Sequence, residues 1–187
     1  MYNNICSSSF EFIALSETWL SEDILNSELF PDNYLVYRKD RNFAATNVTK
    51  GGGVLIAVLN TFVCSEIDLS HITSTLPIID ILGLKIKSSC GLSLYVFVVY
   101  VPPSINLNDY ELFLNLFSAV EESHMDNVVV LGDFNVPDFS ANLDNRATIL
   151  LKNFANFHNF SQYNNIYNKF NRFLDLLFSN LHCSVKQ

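Results

Sequence analysis

The 187-residue sequence is short of positive charge: eleven Lys and Arg stand against nineteen Asp and Glu, a formal net charge of −8. Proteins that grip nucleic acid by its phosphates do so through Lys and Arg, which displace the counterions, so this composition excludes a broad basic binding face. Any anion-handling site here needs positive charge from elsewhere, and a metal ion is the simplest source. Long apolar runs are missing too. The longest, residues 94–103, is about half of what a membrane-spanning helix needs. The start, Met1-Tyr2-Asn3-Asn4-Ile5-Cys6, has neither a basic stretch nor an apolar segment of signal-peptide length, which predicts a chain that is not secreted. Cys6, Cys64, Cys90 and Cys183 are widely spaced, with no Cys-x-x-Cys, and read as free thiols in a reducing compartment rather than as disulfides or a zinc site. Of only six glycines, three are consecutive, at positions 51–53. No Gly-Lys-Ser/Thr follows them and no helix, which excludes a nucleotide-binding loop and leaves a bulge or close strand packing.

What is present is apolar bulk. About half of the residues are hydrophobic and sixteen are Phe, enough for one substantial core, so a single domain spanning residues 1–187 is expected. The stretch that organises the rest is Val128-Val129-Val130-Leu131-Gly132-Asp133-Phe134-Asn135. Its aliphatic half reads as a strand buried on both faces, and its polar half lies where such a strand leaves the sheet. If the backbone stays extended, Asp133 and Asn135 point the same way while Phe134 turns to the core, and Pro137 stops the strand. A carboxylate beside a carboxamide can orient a water and hold an oxyanion; an Asp at a strand exit is also a common turn former or helix cap.

Other segments repeat the pattern. Phe10-Glu11-Phe12-Ile13-Ala14-Leu15 reads as a strand that exits at Glu17, beside the only Trp of the chain. Glu17 is open to two readings, metal ligand or part of a helix start, since Ser16, Thr18 or Ser21 could cap a helix over 22–29. Residues 35–38 suggest an edge strand running into the cluster Arg38, Lys39, Arg41 and Lys50, which reads neutrally as a solvated loop. Residues 54–58 form a strand, and 78–87 with 92–101 a hairpin ending at Tyr100 before a Pro pair, which places Tyr100 at the sheet margin with its hydroxyl in water. Periodic apolar positions predict helices over 108–122 and 147–157. The polar stretch 159–171 leads to a last apolar run, 173–178, in which Asp175 is expensive to bury unless partnered. His71, His124 and His158 have no motif around them, and His182 follows Leu181 rather than an Asp.

Taken in order, Ser16-Glu17-Thr18-Trp19-Leu20, Gly51-Gly52-Gly53-Val54-Leu55-Ile56, Val99-Tyr100-Val101-Pro102-Pro103, Leu131-Gly132-Asp133-Phe134-Asn135 and Phe173-Leu174-Asp175-Leu176-Leu177-Phe178 resemble the endonuclease/exonuclease/phosphatase family. Within it they look most like the apurinic-type endonuclease domain of non-LTR (LINE, jockey-like) retrotransposons. The resemblance implies an α/β fold, a four-layered sandwich of two mixed β-sheets flanked by helices. It also implies hydrolysis of phosphodiesters with Mg²⁺ or Mn²⁺ and DNA as substrate, with nuclear action following by analogy. By the same resemblance Glu17 matches the metal-binding glutamate, Tyr100 the tyrosine on the scissile phosphate, and Asp133 and Asn135 the pair that positions water and phosphate. Asp175 matches the aspartate that orients a histidine, and Arg38 and Arg41 would lie near the substrate.

The family's first strand, with its metal-binding Asn, and its Ser-Asp-His segment have no match in these residues. The expectation is therefore an incomplete domain with weak activity or none. A phosphatase or lipid phosphodiesterase of the same fold, and a non-catalytic remnant or binding module, are the alternative functions.

Overall fold

The computed structural model describes residues 10–43, 50–121, 125–136, 139, 145–167 and 174–185. Cys6, His124, Pro137 and positions 168–173 lie outside them. Nine strands and four helices follow in order among the described residues: β1 Phe12–Ser16, α1 Asn26–Leu29, β2 Tyr34–Lys39, β3 Val54–Leu59, β4 Val63–Glu66, α2 Ser70–Thr75, β5 Asp80–Lys87, β6 Ser93–Tyr100, α3 Leu107–Glu121, β7 Val128–Asp133, α4 Arg146–Phe157, β8 Ser161–Gln162 and β9 Asp175–Ser179. They make an α/β sandwich. One sheet has the order β1-β3-β2, antiparallel throughout; the other has β4-β5-β6-β7-β9-β8 and is mixed, because β6 and β7 run parallel.

Alternation along the strands assigns each side chain to a layer. Val54, Ile56 and Val58 of β3 meet Leu82, Leu84, Ile86, Val96, Val98 and Tyr100 between the sheets. Leu55 and Ala57 point the other way, where Leu20, Phe30 and Tyr34 cover them. On the far side of the large sheet, Phe97, Val99, Val130, Leu176 and Phe178 pack on Ile72, Phe113, Phe117, Leu151 and Phe154 from α2, α3 and α4. The rings of Phe97, Phe113, Phe117 and Phe154 form one chain of edge and stacked contacts, centroids 5.1–5.8 Å apart. Because β6 and β7 are parallel, α3 carries the chain back along the sheet, and both strands emerge at the same end of the sandwich.

The structure departs from the sequence expectations where local pattern is overruled by packing. Only one turn, α1, forms in the predicted helix 22–29, with the Glu28 carboxylate accepting the Leu25 N–H at 2.9 Å. The surrounding segment instead lays Leu20, Phe30 and Tyr34 over the small sheet. Strands β4 and β8 and helix α2 were not anticipated; they are short, and β4 and β8 complete the two edges of the large sheet. Cys64, Cys90 and Cys183 are free thiols.

Candidate active site

The strand registers assemble a row of side chains at one end of the large sheet. Asp80 pairs with Tyr100, Tyr100 with Asp133, and Asp133 with Asp175. Tyr100 lies in the inter-sheet layer, and the alternation that buries Leu176 and Phe178 under the helices turns Asp175 the same way as Tyr100 and Asp133. Across the mouth, β1 ends at Ser16 opposite Val54, so Glu17 and the glycines ahead of β3 come to the same end.

Local backbone explains how each group is presented. Gly51, Gly52 and Gly53 all have φ between 79° and 89°, which β-carbon-bearing residues rarely adopt. Their carbonyls continue the ladder past the strands: Thr18 N–H donates to Gly53 O at 3.2 Å and Trp19 N–H to Gly52 O at 3.0 Å. The opposite segment is left-handed too, with φ of +52° at Glu17 and +55° at Trp19. A β-carbon on Gly51 would lie 3.9 Å from the Tyr100 hydroxyl and 4.0 Å from Glu17 Oε1, so both groups converge on that glycine. Gly132, at φ +139°, has no room for one, because it would overlap the carbonyl of Val99.

Asp133 and Asn135 do not share a face by strand alternation, as an extended backbone would require. Strand β7 ends at Asp133, Asn135 is left-handed at φ +49°, and its N–H donates to Asp133 Oδ1 at 2.9 Å, a turn closed by the Asp side chain. The Asn135 amide donates to Val101 O at 2.7 Å, which ties this turn to the end of β6. Phe134 turns inward as expected, its ring 5.5 Å edge-to-face from Phe178.

Electrostatics single out Asp133. Its carboxyl is raised from 3.8 to about 6: burial is the main cause, the charges of Asp175 and Glu17 add to it, and the hydrogen bonds from Asn135 oppose it. Tyr100 is held far above its ordinary value by burial and by the Glu17 carboxylate, with Arg41 opposing, so its hydroxyl is a permanent O–H donor near neutral pH. Its position is a correction: the side chain is buried between the sheets rather than lying at a wet margin. Asp175 is corrected as well. It is the first residue of β9 and exposed, with its carboxyl raised by partial burial, and not a charge enclosed in an apolar run. A groove of about 320 Å³, lined in part by Ser16, Leu131, Asn164 and Asp175, opens beside it.

The two arginines of the basic cluster are not left in water, whereas Lys50 is exposed. Arg38 donates to Ile24 O at 2.6 Å and Ser21 O at 2.9 Å and pairs with Asp40 at 3.0 Å. Arg41 is buried against Asp80, so both guanidinium groups are committed inside the chain. Asp80 itself had no signal in the sequence, where it stands as one polar residue at the start of an apolar strand. Among the described residues no histidine reaches the row: His71 meets Leu116 O, His158 the Ser118 hydroxyl, and His182 packs on Tyr163.

Two sheets face to face with helices outside the larger one are an arrangement shared with solved structures. The chain superposes on the endonuclease domain of TRAS1, a telomere-specific non-LTR retrotransposon, with a TM-score of 0.63 at 12% identity, covering 90% of this chain and 71% of that one. The chain has the endonuclease/exonuclease/phosphatase fold. The catalytic domain of Xenopus laevis APE2 shares that fold at a TM-score of 0.60 and 15% identity, over 95% of this chain and 76% of its own. An endonuclease/exonuclease/phosphatase family protein of Leptotrichia buccalis shares it at 0.56 and 13% identity, over 98% and 80%. No protein-family model matches the sequence, and no curated protein does.

Proposed function

We propose that the mouth of this sandwich is a divalent-metal-dependent phosphodiester hydrolase site acting on DNA, of the retrotransposon-endonuclease type. The observation that carries the reading is the Tyr100, Asp133, Asp175 row facing Glu17, with Asp133 raised to about 6. The neighbours' names support the substrate: a retrotransposon endonuclease, APE2, and TDP2 of D. rerio complexed with single-strand DNA product.

The donor set suits Mg²⁺ or Mn²⁺. Mg²⁺ keeps several waters and takes only one or two protein carboxylates, and among the described residues no three His, Cys, Asp or Glu groups form a closed cage. Glu17, exposed at the mouth, is the residue that would hold the ion, which when bound supplies Lewis-acid polarisation of the phosphoryl group and the positive charge the chain lacks. Asp133 orients and deprotonates the attacking water: at about 6 it is ionised near neutral pH yet a stronger base than an ordinary carboxylate. Tyr100 donates its hydroxyl to a phosphate oxygen. The Asn135 side-chain amide donates to Val101 O and also bonds the Asp133 carboxylate, so it holds the base in place beside the phosphate. Action on chromosomal DNA, and hence nuclear placement, belongs to the same proposal. No helix among the described residues is long and apolar enough to cross a membrane.

With no histidine at the row among the described residues, turnover is expected to be slow, and the same observation favours the second reading, a non-catalytic module. Nicking of supercoiled plasmid with Mg²⁺ separates the two. The hydrolase reading expects Asp133→Ala and Glu17→Gln each to lower the rate by about 10²–10³. Nicking indifferent to both substitutions, or no nicking at all, leaves the non-catalytic reading.

A further inference from the structure

Asp80 is 2% exposed and Arg41 7%, a buried charge pair that the proposed chemistry does not use. One oxygen, Asp80 Oδ2, accepts three N–H groups: Arg41 Nε at 2.9 Å, Arg41 Nη2 at 2.6 Å and the Gly53 backbone at 2.8 Å. Desolvating two charges offsets most of their attraction, so such a pair is a weak source of stability, and its role is better sought in what it holds. It holds the glycine loop directly through Gly53. It also fills the space against Gly52, where a β-carbon would lie 2.5 Å from Asp80 Oδ2. Arg41 reaches the site from its other side, its guanidinium carbon 4.9 Å over the centre of the Tyr100 ring. Glu17 depends on both parts. Its φ of +52° is unfavourable for a non-glycine residue and persists only when neighbours impose it; the bonds from Thr18 and Trp19 to Gly53 O and Gly52 O are those neighbours.

We propose that Arg41 and Asp80 are positioning residues for the hydrolytic site, their buried pair clamping the glycine loop and Tyr100 and thereby fixing Glu17 opposite Asp133. The functional consequence rests on the phosphodiester-hydrolase reading, whereas the clamp itself does not. Three remote segments, residues 38–41, residues 51–53 and the start of β5, are tied at one carboxylate oxygen, and the strained Glu17 segment hangs from that knot.

The test uses the only tryptophan. Trp19 is 59% exposed and its N–H is bonded to the clamped loop, so its fluorescence anisotropy reports loop order, and quenching by paramagnetic Mn²⁺ reports an ion at neighbouring Glu17. Arg41→Met/Asp80→Asn removes both charges together, leaves an acceptor for Gly53 N–H, and avoids stranding one buried charge. In this folded variant Trp19 anisotropy is expected to fall, and the Mn²⁺ midpoint and nicking rate to worsen by about tenfold, the usual effect of losing a group that orients a metal ligand. Wild-type anisotropy and Mn²⁺ response in the folded variant overturn the proposal, because a merely structural pair would alter the unfolding temperature alone. If the double variant fails to fold, Arg41→Lys keeps both charges but loses the two-pronged bond; it is expected to shift both readouts part of the way, and wild-type values overturn the clamp. If Mn²⁺ quenches the wild type no more than Glu17→Gln, the metal-site reading fails, while the metal-free anisotropy still judges the clamp.

Discussion

Asp133→Asn should stabilise the protein while disabling the proposed site. The carboxyl is raised from 3.8 to about 6, and its ionised form at neutral pH therefore costs the fold up to about 3 kcal/mol, at ~1.4 kcal/mol per tenfold. Because Asp133 is partly exposed, solvent screening reduces this to about 1–2 kcal/mol. Asparagine keeps an oxygen for the Asn135 N–H, now 2.9 Å from Oδ1, and removes the repulsion from Glu17 and Asp175. In a domain of this size the gain corresponds to a rise of about 3–6 °C in the unfolding midpoint. The sign with pH follows from linkage. Between 3.8 and about 6 the folded chain holds a proton that the unfolded chain has lost, so the wild type loses this group's contribution as pH rises through that window. The advantage of the variant should thus be small at pH 4.5 and full at pH 7.5, in thermal melts run with a chelator present. A lower midpoint for the variant at pH 7.5, or the same gain at both pH values, would refute this account of Asp133.

Other perturbations have equally definite outcomes. Asp175→Asn removes one of the charges that raise Asp133, so the acidic limb of the pH–nicking profile should move to lower pH; a limb that stays in place means Asp133 is not the titrating base. Gly132→Ala must seat a β-carbon on the Val99 carbonyl at a φ of +139°, and denaturant melts should show a loss of about 3 kcal/mol or more. Phe178→Ala empties a fully buried site between Phe134 and Phe139, with an expected loss of about 3–5 kcal/mol by the same measurement. With Arg38 and Arg41 both engaged internally, DNA binding should show a log–log salt slope no steeper than about −3 in a fluorescence titration.

The parts of the fold legible in the sequence are those where pattern and burial coincide. The aliphatic runs around Val54, Val96 and Val128 were readable as strands because central strands of a two-sheet sandwich are buried on both faces. Helices α3 and α4 were readable because each buries a single stripe on the large sheet. The placement of Glu17, Tyr100 and Asp133 at strand exits was also visible, since apolar runs end abruptly beside them. The turn at Asn135 was hidden, because extended and Asp-closed backbones share one composition. Asp80 and Arg41 were hidden for a different reason. Nothing local distinguishes a carboxylate or guanidinium that will be buried with a partner 39 residues away from one left in water, and the basic cluster therefore read as solvated.

The parallel pairing of β6 and β7 carries an evolutionary consequence. Because both strands deliver their last residues to one rim, where Val101 and Asn135 tie them together, the segments that depart beyond that tie can change length and composition without disturbing the register that sets Tyr100 and Asp133 abreast. On the proposed hydrolase reading, target preference can diversify at that rim while the helical bracing behind it stays untouched, which makes grafting of foreign departure segments a natural route to re-aiming this scaffold.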